Sequence, residues 1–363
     1  MAGSRKTVLD GIFYFINVIT AVGLLLSYLA YYIPPGTLSL FSFIALGYPV
    51  LLIINIAFLF YWLIRFKRKV FLPLVCIAIG YLHVPRTYQF GTTKKVVNTD
   101  ERIKVMSFNV RLQNQYLWLD DAEIPRKIYD LIDIENPDVL LLQEYRKEWP
   151  EAPKNLGYKY VHRRMSKNGE YGSAIFSRFP IKGSQVLDFE GDSLTNNQFH
   201  LADIEWNGQT IRFINVHLAS VGLGDADYKL LENPEQEEQE KLEKGLRSIA
   251  SSLDKAFKRR GTQIESVKRA VADSPHPVVL SGDFNDVPQS YVYHQMALDL
   301  SDSYMESGHG FSKTYVKSPI PLRIDYIFHS PTLKAFNYKA INEELSDHYP
   351  IVTELELNTT ETL

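Results

Sequence analysis

The stretch "PVVLSGDFNDVP" (277–288) is apolar from Pro277 to Leu280, breaks at Gly282, and then sets Asp283, Asn285 and Asp286 within four positions. Gly, Asp and Asn are ordinary turn formers, and a single cluster needs no further reason. The alternative is a carboxylate and an amide held at the rim of a sheet, where a phosphate or a metal is handled. Three other apolar runs end in the same manner: "IKVMSFNV" at Asn109, "DVLLLQE" at Glu144 and "IRFINVHL" at His217. Turns require neither Glu nor His, so the repetition points to chemistry at one rim, positioned by rigid strands. Two further groups lie downstream. Asp325 sits inside the apolar run "RIDYIFHS", and a carboxylate there needs a partner. "LSDHYPI" brings Asp347 and His348, the second of which would supply it.

The elements that must position these residues read as a layered domain. Besides the four runs, "GSAIFSR", "FHLADIEW", "RIDYIFHS" and "PIVTELEL" have the β-branched and aromatic content of strands. Helical patterns are expected near 124–135, 235–258 and 262–273. Many strands mixed with helices imply an α/β or α+β domain. The charged stretch 225–262 reads as a solvated amphipathic helix packed on one face, with a lid over the site as the alternative.

The first hundred residues are different. Residues 11–33 and 38–64 carry no charge, and each exceeds the ~20 residues that span a bilayer core. The first run lacks the small-residue cleavage site of a signal peptide, and a second apolar run follows at once. A third run, 70–90, contains Pro73, His83 and Arg86. The expected organisation is a transmembrane region over 1–90, a polar linker over 91–102, and a soluble domain over 103–357. Basic residues precede the first run (Arg5, Lys6) and separate the second from the third (Arg65, Lys67, Arg68, Lys69). Basic clusters mark the cytoplasmic side. Three spans would therefore leave the soluble domain on the non-cytoplasmic side, periplasmic or exterior in a bacterium; two would leave it in the cytoplasm.

Charge and cysteine content narrow the chemistry. Of 39 Lys and Arg, nine lie before residue 100, against one of the 42 acids; residues 100–363 keep 30 basic and 41 acidic, a net of −11. An acidic domain counts against tight gripping of nucleic acid through its phosphates. The single cysteine, Cys76, rules out a disulfide within the chain.

Taken in order, Asn109 in "SFNVR", Glu144 in "LLQEY", His217 in "NVHL", Asp283 and Asn285 in "SGDFND", Asp325 in "RIDYIF" and Asp347–His348 in "LSDHYPI" make a pattern similar to the DNase-I-like endonuclease/exonuclease/phosphatase superfamily. The resemblance covers about 103–357. It implies a four-layer α/β/β/α sandwich with a Mg²⁺ or Mn²⁺ site at one rim. By the resemblance, Glu144 is the main metal carboxylate, with Asn109 and Asp347 beside it. Asp283 and Asn285 orient the attacking water and the phosphate. His348 pairs with Asp325 and acts on the nucleophile or the phosphate, and His217 contacts the phosphate and serves as general acid. Tyr171, in "YGSAIFSRFPI", is a phosphate contact. "RRGTQ" (259–263) also resembles a family stretch, without an assigned role.

Elementary electrostatics agrees. Two carboxylates ~4 Å apart repel by about 4 kcal/mol at an effective dielectric of ~20. Glu144, Asp283, Asp325 and Asp347 in one cleft would need cations, either imidazolium or a divalent metal. Oxygen ligands without cysteine favour a hard ion such as Mg²⁺ or Mn²⁺. The expectation is a membrane-anchored, metal-dependent phosphodiester hydrolase in which water attacks phosphorus. Its substrate is a nucleic acid, a lipid headgroup or a soluble phosphate ester. The rival is a membrane-bound scaffold that keeps the fold without catalysis.

Overall fold

The computed structural model describes residues 2–91, 101–147, 156–166, 169–192, 197–236 and 238–358. The linker expected over 91–102 lies mostly outside them. The chain begins with six helices: α1 (Ala2–Leu29), α2 (Pro35–Leu38), α3 (Leu40–Leu46), α4 (Tyr48–Ile64), α5 (Phe71–Ile79) and α6 (Val84–Thr87). It continues through β1 (Tyr88–Gln89), β2 (Arg102–Asn109), α7 (Ile124–Glu135), β3 (Val139–Arg146), β4 (Tyr160–Met165), β5 (Tyr171–Ser177), β6 (Ile181–Leu187), β7 (Gln198–Trp206) and β8 (Gln209–His217). Then come α8 (Asp225–Glu232), α9 (Gln239–Ala272), β9 (Val278–Asp283), α10 (Tyr291–Ala297), β10 (Ser301–Asp302), α11 (Ser303–Ser307), β11 (Gly310–Phe311), β12 (Asp325–His329), β13 (Leu333–Ala340) and β14 (Ile351–Leu357).

Two six-stranded sheets form the body, ordered β13-β14-β2-β3-β5-β4 and β10-β12-β9-β8-β7-β6. Period-two alternation sends one set of side chains between the sheets and the other outward. Ile103, Val105, Val139 and Leu141 meet Ile211, Phe213, Val279 and Ile327 in the space between them. Met106, Phe108, Leu140 and Leu142 face the apolar stripe of α7, built on Ile124, Ile128, Leu131 and Ile132. Leu280, Tyr326 and Phe328 face Ile264 and Val267 of α9 and Val292, Tyr293 and Met296 of α10. The result is the four-layer α/β/β/α sandwich.

Of the runs expected to span over 11–33, 38–64 and 70–90, the first is one unbroken helix and the other two are bent. Leu9–Leu29 is one helix, 21 residues long and apolar enough to cross a membrane. It stops at Leu29 because Pro34 and Pro35 follow. The second run bends by 62° between Leu40–Leu46 and Tyr48–Ile64. The break falls at Gly47, where Pro49 in the first turn of α4 cannot donate back to α3. The third run bends by 58° at Gly80 and leaves the helical conformation after Thr87, because Tyr88 and Gln89 pair with Phe311 and Gly310. Inside the bundle some polar groups pair across helices, while Asn17 Nδ2, Asn55 Oδ1 and the Tyr48 hydroxyl are buried without a partner. Trp62 Nε1 donates to Asn17 Oδ1 at 3.0 Å, and Asn55 Nδ2 donates to the carbonyls of Leu51 and Thr20 at 2.8 and 3.1 Å.

The helices expected near 235–258 and 262–273 are one 34-residue helix, α9, which Gly261 does not break. That glycine serves packing instead: Pro35 Cδ lies 3.1 Å from where a Cβ would stand. Strands β4, β6 and β13 were not anticipated. Neither of the first two contains a buried residue, so both lack the apolar signal that marks an interior strand.

Candidate active site

Between the sheets, alternation carries an orderly change from apolar to polar. Above the apolar layer sit Ser107, Gln143, Asn215 and Ser281, all buried. Gln143 Nε2 donates to Asn215 Oδ1 at 2.7 Å, and Asn215 Nδ2 donates to the carbonyls of Leu142 and Ala174 at 3.0 and 3.1 Å. One step further along β2, β8 and β9 come Asn109, His217 and Asp283, and the neighbouring β12 adds Asp325. The register aligns Asp283 with His217 on one side and with Asp325 on the other. The sequence-predicted residues from six distant segments thus meet at one rim.

Glu144 reaches the rim by a different route. Strict alternation would send it outward with Leu142. Instead the β3–β5 register shifts between Leu142 and Tyr145, and Glu144 takes a left-handed conformation (φ 50°). Such a conformation costs a non-glycine residue about 1–3 kcal/mol and clusters at functional sites. The turn after Asn109 is similar: Arg111, Leu112, Gln113 and Asn114 all have positive φ. Side chains hold it in place. Asn114 accepts from Leu119 N and donates to the carbonyls of Leu119 and Asp121, and Gln113 Oε1 accepts from Arg146 N.

Asp283 is the best-held acid. Its Oδ1 accepts from Asn285 N at 2.8 Å; its Oδ2 accepts from Asn109 Nδ2 at 3.0 Å and Asn285 Nδ2 at 3.1 Å. Its side chain is 1% exposed, and the Nε2 atoms of His217 and His348 stand 3.7 and 3.6 Å from Oδ2. His217 Nε2 is buried without a hydrogen-bond partner. His348 Nδ1 contacts Asp325 Oδ2 at 2.9 Å, which leaves its Nε2 turned toward Asp283. Burial alone would lower the His348 pKa, but the carboxylates of Asp325 and Asp283 outweigh it and hold the imidazole protonated well above its usual range. Burial pushes the Asp325 carboxyl up to about 6, with His348 opposing and Asp283 adding to the rise.

Glu144 and Asp347 form the open half, with buried Asn109 beneath them. Asn109 Nδ2 lies 3.4 Å from Glu144 Oε1. Ser346 Oγ donates to the Asn109 carbonyl at 2.8 Å, which sets Asp347 beside β2. Asp347 Oδ2 is 3.3 Å from Arg111 Nη1, and the Arg111 guanidinium stacks on Trp118 at 4.1 Å. Tyr171 stands near Glu144: burial raises its phenol pKa first, and the Glu144 carboxylate raises it further.

This division decides where a cation fits. Asp283, Asp325 and His348 offer ligand atoms within 4.8 Å of one another. That buried trio already contains its own positive charge in His348. Glu144 has no lysine or arginine within salt-bridge distance among the described residues, and the His217 imidazole Nε2 stands 3.7 Å from its Oε1. An oxygen-only set of Asn109, Glu144 and Asp347, part open to solvent, fits a hard divalent ion.

Two residues escaped the sequence reading. Arg260, in "RRGTQ", is 1% exposed; its Nε is 3.1 Å from Asp286 Oδ2 and its Nη1 donates to the Ala219 carbonyl at 2.9 Å. It ties the loop after His217 to the loop after Asp283. A buried arginine inside a charged helix gives no sign in the sequence, although the family-like stretch around it was the available clue. Gly282 has φ 144°, and a Cβ there would collide with the Val216 carbonyl oxygen. Gly282→Ala should cost at least about 2 kcal/mol through overpacking and backbone strain. It should also displace Asp283 and depress hydrolysis. Thermal unfolding together with a rate assay checks this; a variant unchanged in both measurements contradicts it.

A family model described as "Endonuclease/Exonuclease/phosphatase family" matches residues 106–348. A second, described as "Domain of unknown function (DUF8431)", matches 10–87. No curated protein matches the chain. Among solved structures, an endonuclease/exonuclease/phosphatase family protein from Bacteroides thetaiotaomicron is 18% identical with a TM-score of 0.53, covering 70% of this chain and 98% of its own. The human Nocturnin catalytic domain with bound sulfate anion is 19% identical with a TM-score of 0.52, covering 72% and 96%. D. rerio TDP2 complexed with single strand DNA product is 17% identical with a TM-score of 0.52, covering 70% and 99%.

Proposed function

Because this chain belongs to the endonuclease/exonuclease/phosphatase family, we propose that it is a membrane-anchored, divalent-metal-dependent phosphodiester hydrolase. The observation that carries the reading is the setting of Asp283: a buried carboxylate fixed by three hydrogen bonds, with two imidazole nitrogens turned toward it. That is the arrangement a water-activating base requires. Asp283 takes a proton from water as its oxygen attacks phosphorus. Asn285 and Asn109 fix the carboxylate so that only one lone-pair direction faces the water. His348, held protonated and oriented by Asp325, places positive charge where the phosphoryl oxygens gather it. His217 Nε2–H donates its missing hydrogen bond to the leaving ester oxygen and delivers that proton to it as the P–O bond breaks. Mg²⁺ or Mn²⁺ on Asn109, Glu144 and Asp347 would neutralise phosphoryl charge. Tyr171 contributes a hydrogen bond at the open edge.

The test is hydrolysis of a soluble bis-aryl phosphate by the full chain. Mg²⁺ or Mn²⁺ should support turnover, and EDTA should abolish it. Glu144→Gln should lower kcat/KM by about 10²–10³-fold at fixed metal, as loss of one charged ligand does to metal binding and the chemistry it supports. Turnover indifferent to EDTA and to Glu144→Gln would favour the non-catalytic scaffold.

Three membrane passes, with the catalytic domain on the non-cytoplasmic side, are part of the same proposal. At one end of the bundle Arg65 pairs with Asp10 at 3.1 Å, and Lys69 Nζ donates to the Asp10 carbonyl at 3.1 Å. At the other end the Arg86 guanidinium lies 4.3 Å from the Tyr31 ring. Residues 69–86 therefore run between the same two ends as residues 10–31. Phe15, Ile53 and Ile79, one from each segment, are 66%, 59% and 62% exposed, as suits lipid contact rather than water. The basic residues Arg65, Lys67, Arg68 and Lys69 lie at the Asp10 end of the bundle, and their charge supports a cytoplasmic assignment of that end.

A further inference from the structure

We propose that the active site takes the phosphodiester of a lipid embedded in the same membrane, entering along the bilayer surface; this rests on the hydrolase reading above and names its substrate class. The argument begins with a shared core. Ala30 and Ala45 of the N-terminal segment pack with Val287 and Ile324, and Phe41, Leu46, Tyr315 and Leu322 close around them. Three of these partners, Val287, Ile324 and Tyr315, are near neighbours of the site. Val287 follows Asn285 by two residues, Ile324 precedes Asp325, and the Tyr315 ring is 5.6 Å from the His348 ring. One layer of side chains therefore separates the catalytic rim from the membrane segment.

The junction is also locked, so the domain does not swing on a free tether. Ser39 Oγ donates to Asp254 Oδ1 at 2.5 Å, Gln289 Nε2 donates to Thr87 Oγ1 at 3.0 Å, and Arg323 Nη2 donates to the Arg86 carbonyl at 3.1 Å. Phe43 meets Phe257 edge-on at 5.1 Å, and Tyr31 joins the core that contains Tyr293. These contacts fix the height of the site above the bundle.

The bilayer boundary is marked by α2 and α3. Ser42 and Ala45 are buried, while Leu38 and Leu40 are 47% and 56% exposed. A short segment with its small residues against protein and leucines outward, at the end of an apolar bundle, lies at the boundary of acyl chains and headgroups. Headgroup layers are roughly 5–8 Å thick on each side of the hydrocarbon. A rim one side chain above α2–α3 stands at the height of the lipid phosphates. The net charge of −11 over residues 100–363 disfavours a long polyanion in the same place. In the reaction, the water oxygen forms a bond to phosphorus, the ester P–O bond breaks, and the leaving alkoxide takes a proton; one phosphomonoester and one alcohol result.

The experiment uses the full chain in nanodiscs of mixed phospholipids with Mn²⁺, with released products read by mass spectrometry. Parallel arms contain a short-chain, water-soluble phosphodiester with the same headgroup, a single-stranded oligonucleotide, and the bis-aryl phosphate. Confinement to the headgroup layer should make the embedded lipid ~10–100-fold better in kcat/KM than its soluble analogue. The double substitution Leu38→Asp, Leu40→Asp should lower hydrolysis of embedded lipid about tenfold through loss of interfacial seating, with the bis-aryl phosphate rate unchanged. Equal rates on embedded and soluble diesters would assign the site to free phosphate esters. Cleavage of the oligonucleotide with none of the lipid would assign it to nucleic acid. Either result overturns the lipid proposal while the hydrolase reading stands, whereas silence on the bis-aryl phosphate removes both. If the double variant does not insert, wild-type protein in detergent micelles free of phospholipid supplies the second measurement. A soluble-ester rate maintained there, beside lipid hydrolysis in nanodiscs, supports the proposal.

Discussion

Asp283→Asn should lower kcat on a bis-aryl phosphate by about 10²–10⁴-fold, the range that a positioned acid–base group contributes. Its effect on folding should be small. The aspartate accepts three hydrogen bonds, from Asn285 N, Asn109 Nδ2 and Asn285 Nδ2. An asparagine keeps one acceptor oxygen and leaves a donor without a partner, a loss of about 1–3 kcal/mol. Against this, it removes a negative charge beside buried Asp325, whose pKa Asp283 helps to raise. The two effects oppose, so thermal stability should stay near the parent while turnover collapses. That split separates catalysis from folding. A rate within tenfold of the parent at intact stability would remove Asp283 from the chemistry and leave the water without a base.

Much of this site was legible because strand ends repeat a pattern. Asn109, His217 and Asp283 each continue the inward-facing alternation of their strands, so an apolar run ending in a polar residue marked all three, whereas Asp325, the first residue of β12, was marked by a carboxylate inside an apolar run. Glu144 was found by its type and its family-like surroundings, but its direction was not readable. Alternation points it at α7, and only the left-handed backbone and the register shift after Leu142 turn it into the rim. Burial was also hidden. Asp325 and Asp283 are nearly inaccessible, whereas Glu144 and Asp347 keep 29% and 18% of their side-chain exposure, and this contrast separates proton handling from cation holding. The bends at Gly47 and Gly80 escaped because composition reports apolarity without direction. The docking of α2 and α3 on α9 escaped because contacts between Ser39 and Asp254 join residues far apart in sequence.

Arg260 is where stability and activity should fail together. Its side chain is 1% exposed and its partner Asp286 is 3% exposed. Burial raises the Asp286 carboxyl pKa, and the Arg260 charge and hydrogen bond pull it back. Removing one member of such a pair strands a buried charge and costs about 3–5 kcal/mol. Arg260→Met should therefore lower the midpoint of thermal unfolding by roughly 6–20 °C for a domain of this size. Adding Asp286→Leu removes the stranded charge and should recover most of that loss. Hydrolysis should not recover with it. Arg260 also donates to the Ala219 carbonyl at 2.9 Å, while Asp286 accepts from Val287 N at 3.0 Å. These bonds hold the loop after His217 and the loop carrying Asn285 at a fixed separation, and a displacement of about 1 Å in a reacting group costs on the order of 10²-fold in rate. Full return of kcat in the double variant would make the pair purely structural. A single variant that melts like the parent would show that Asp286 finds compensation elsewhere and that the clamp does not set the geometry of the rim.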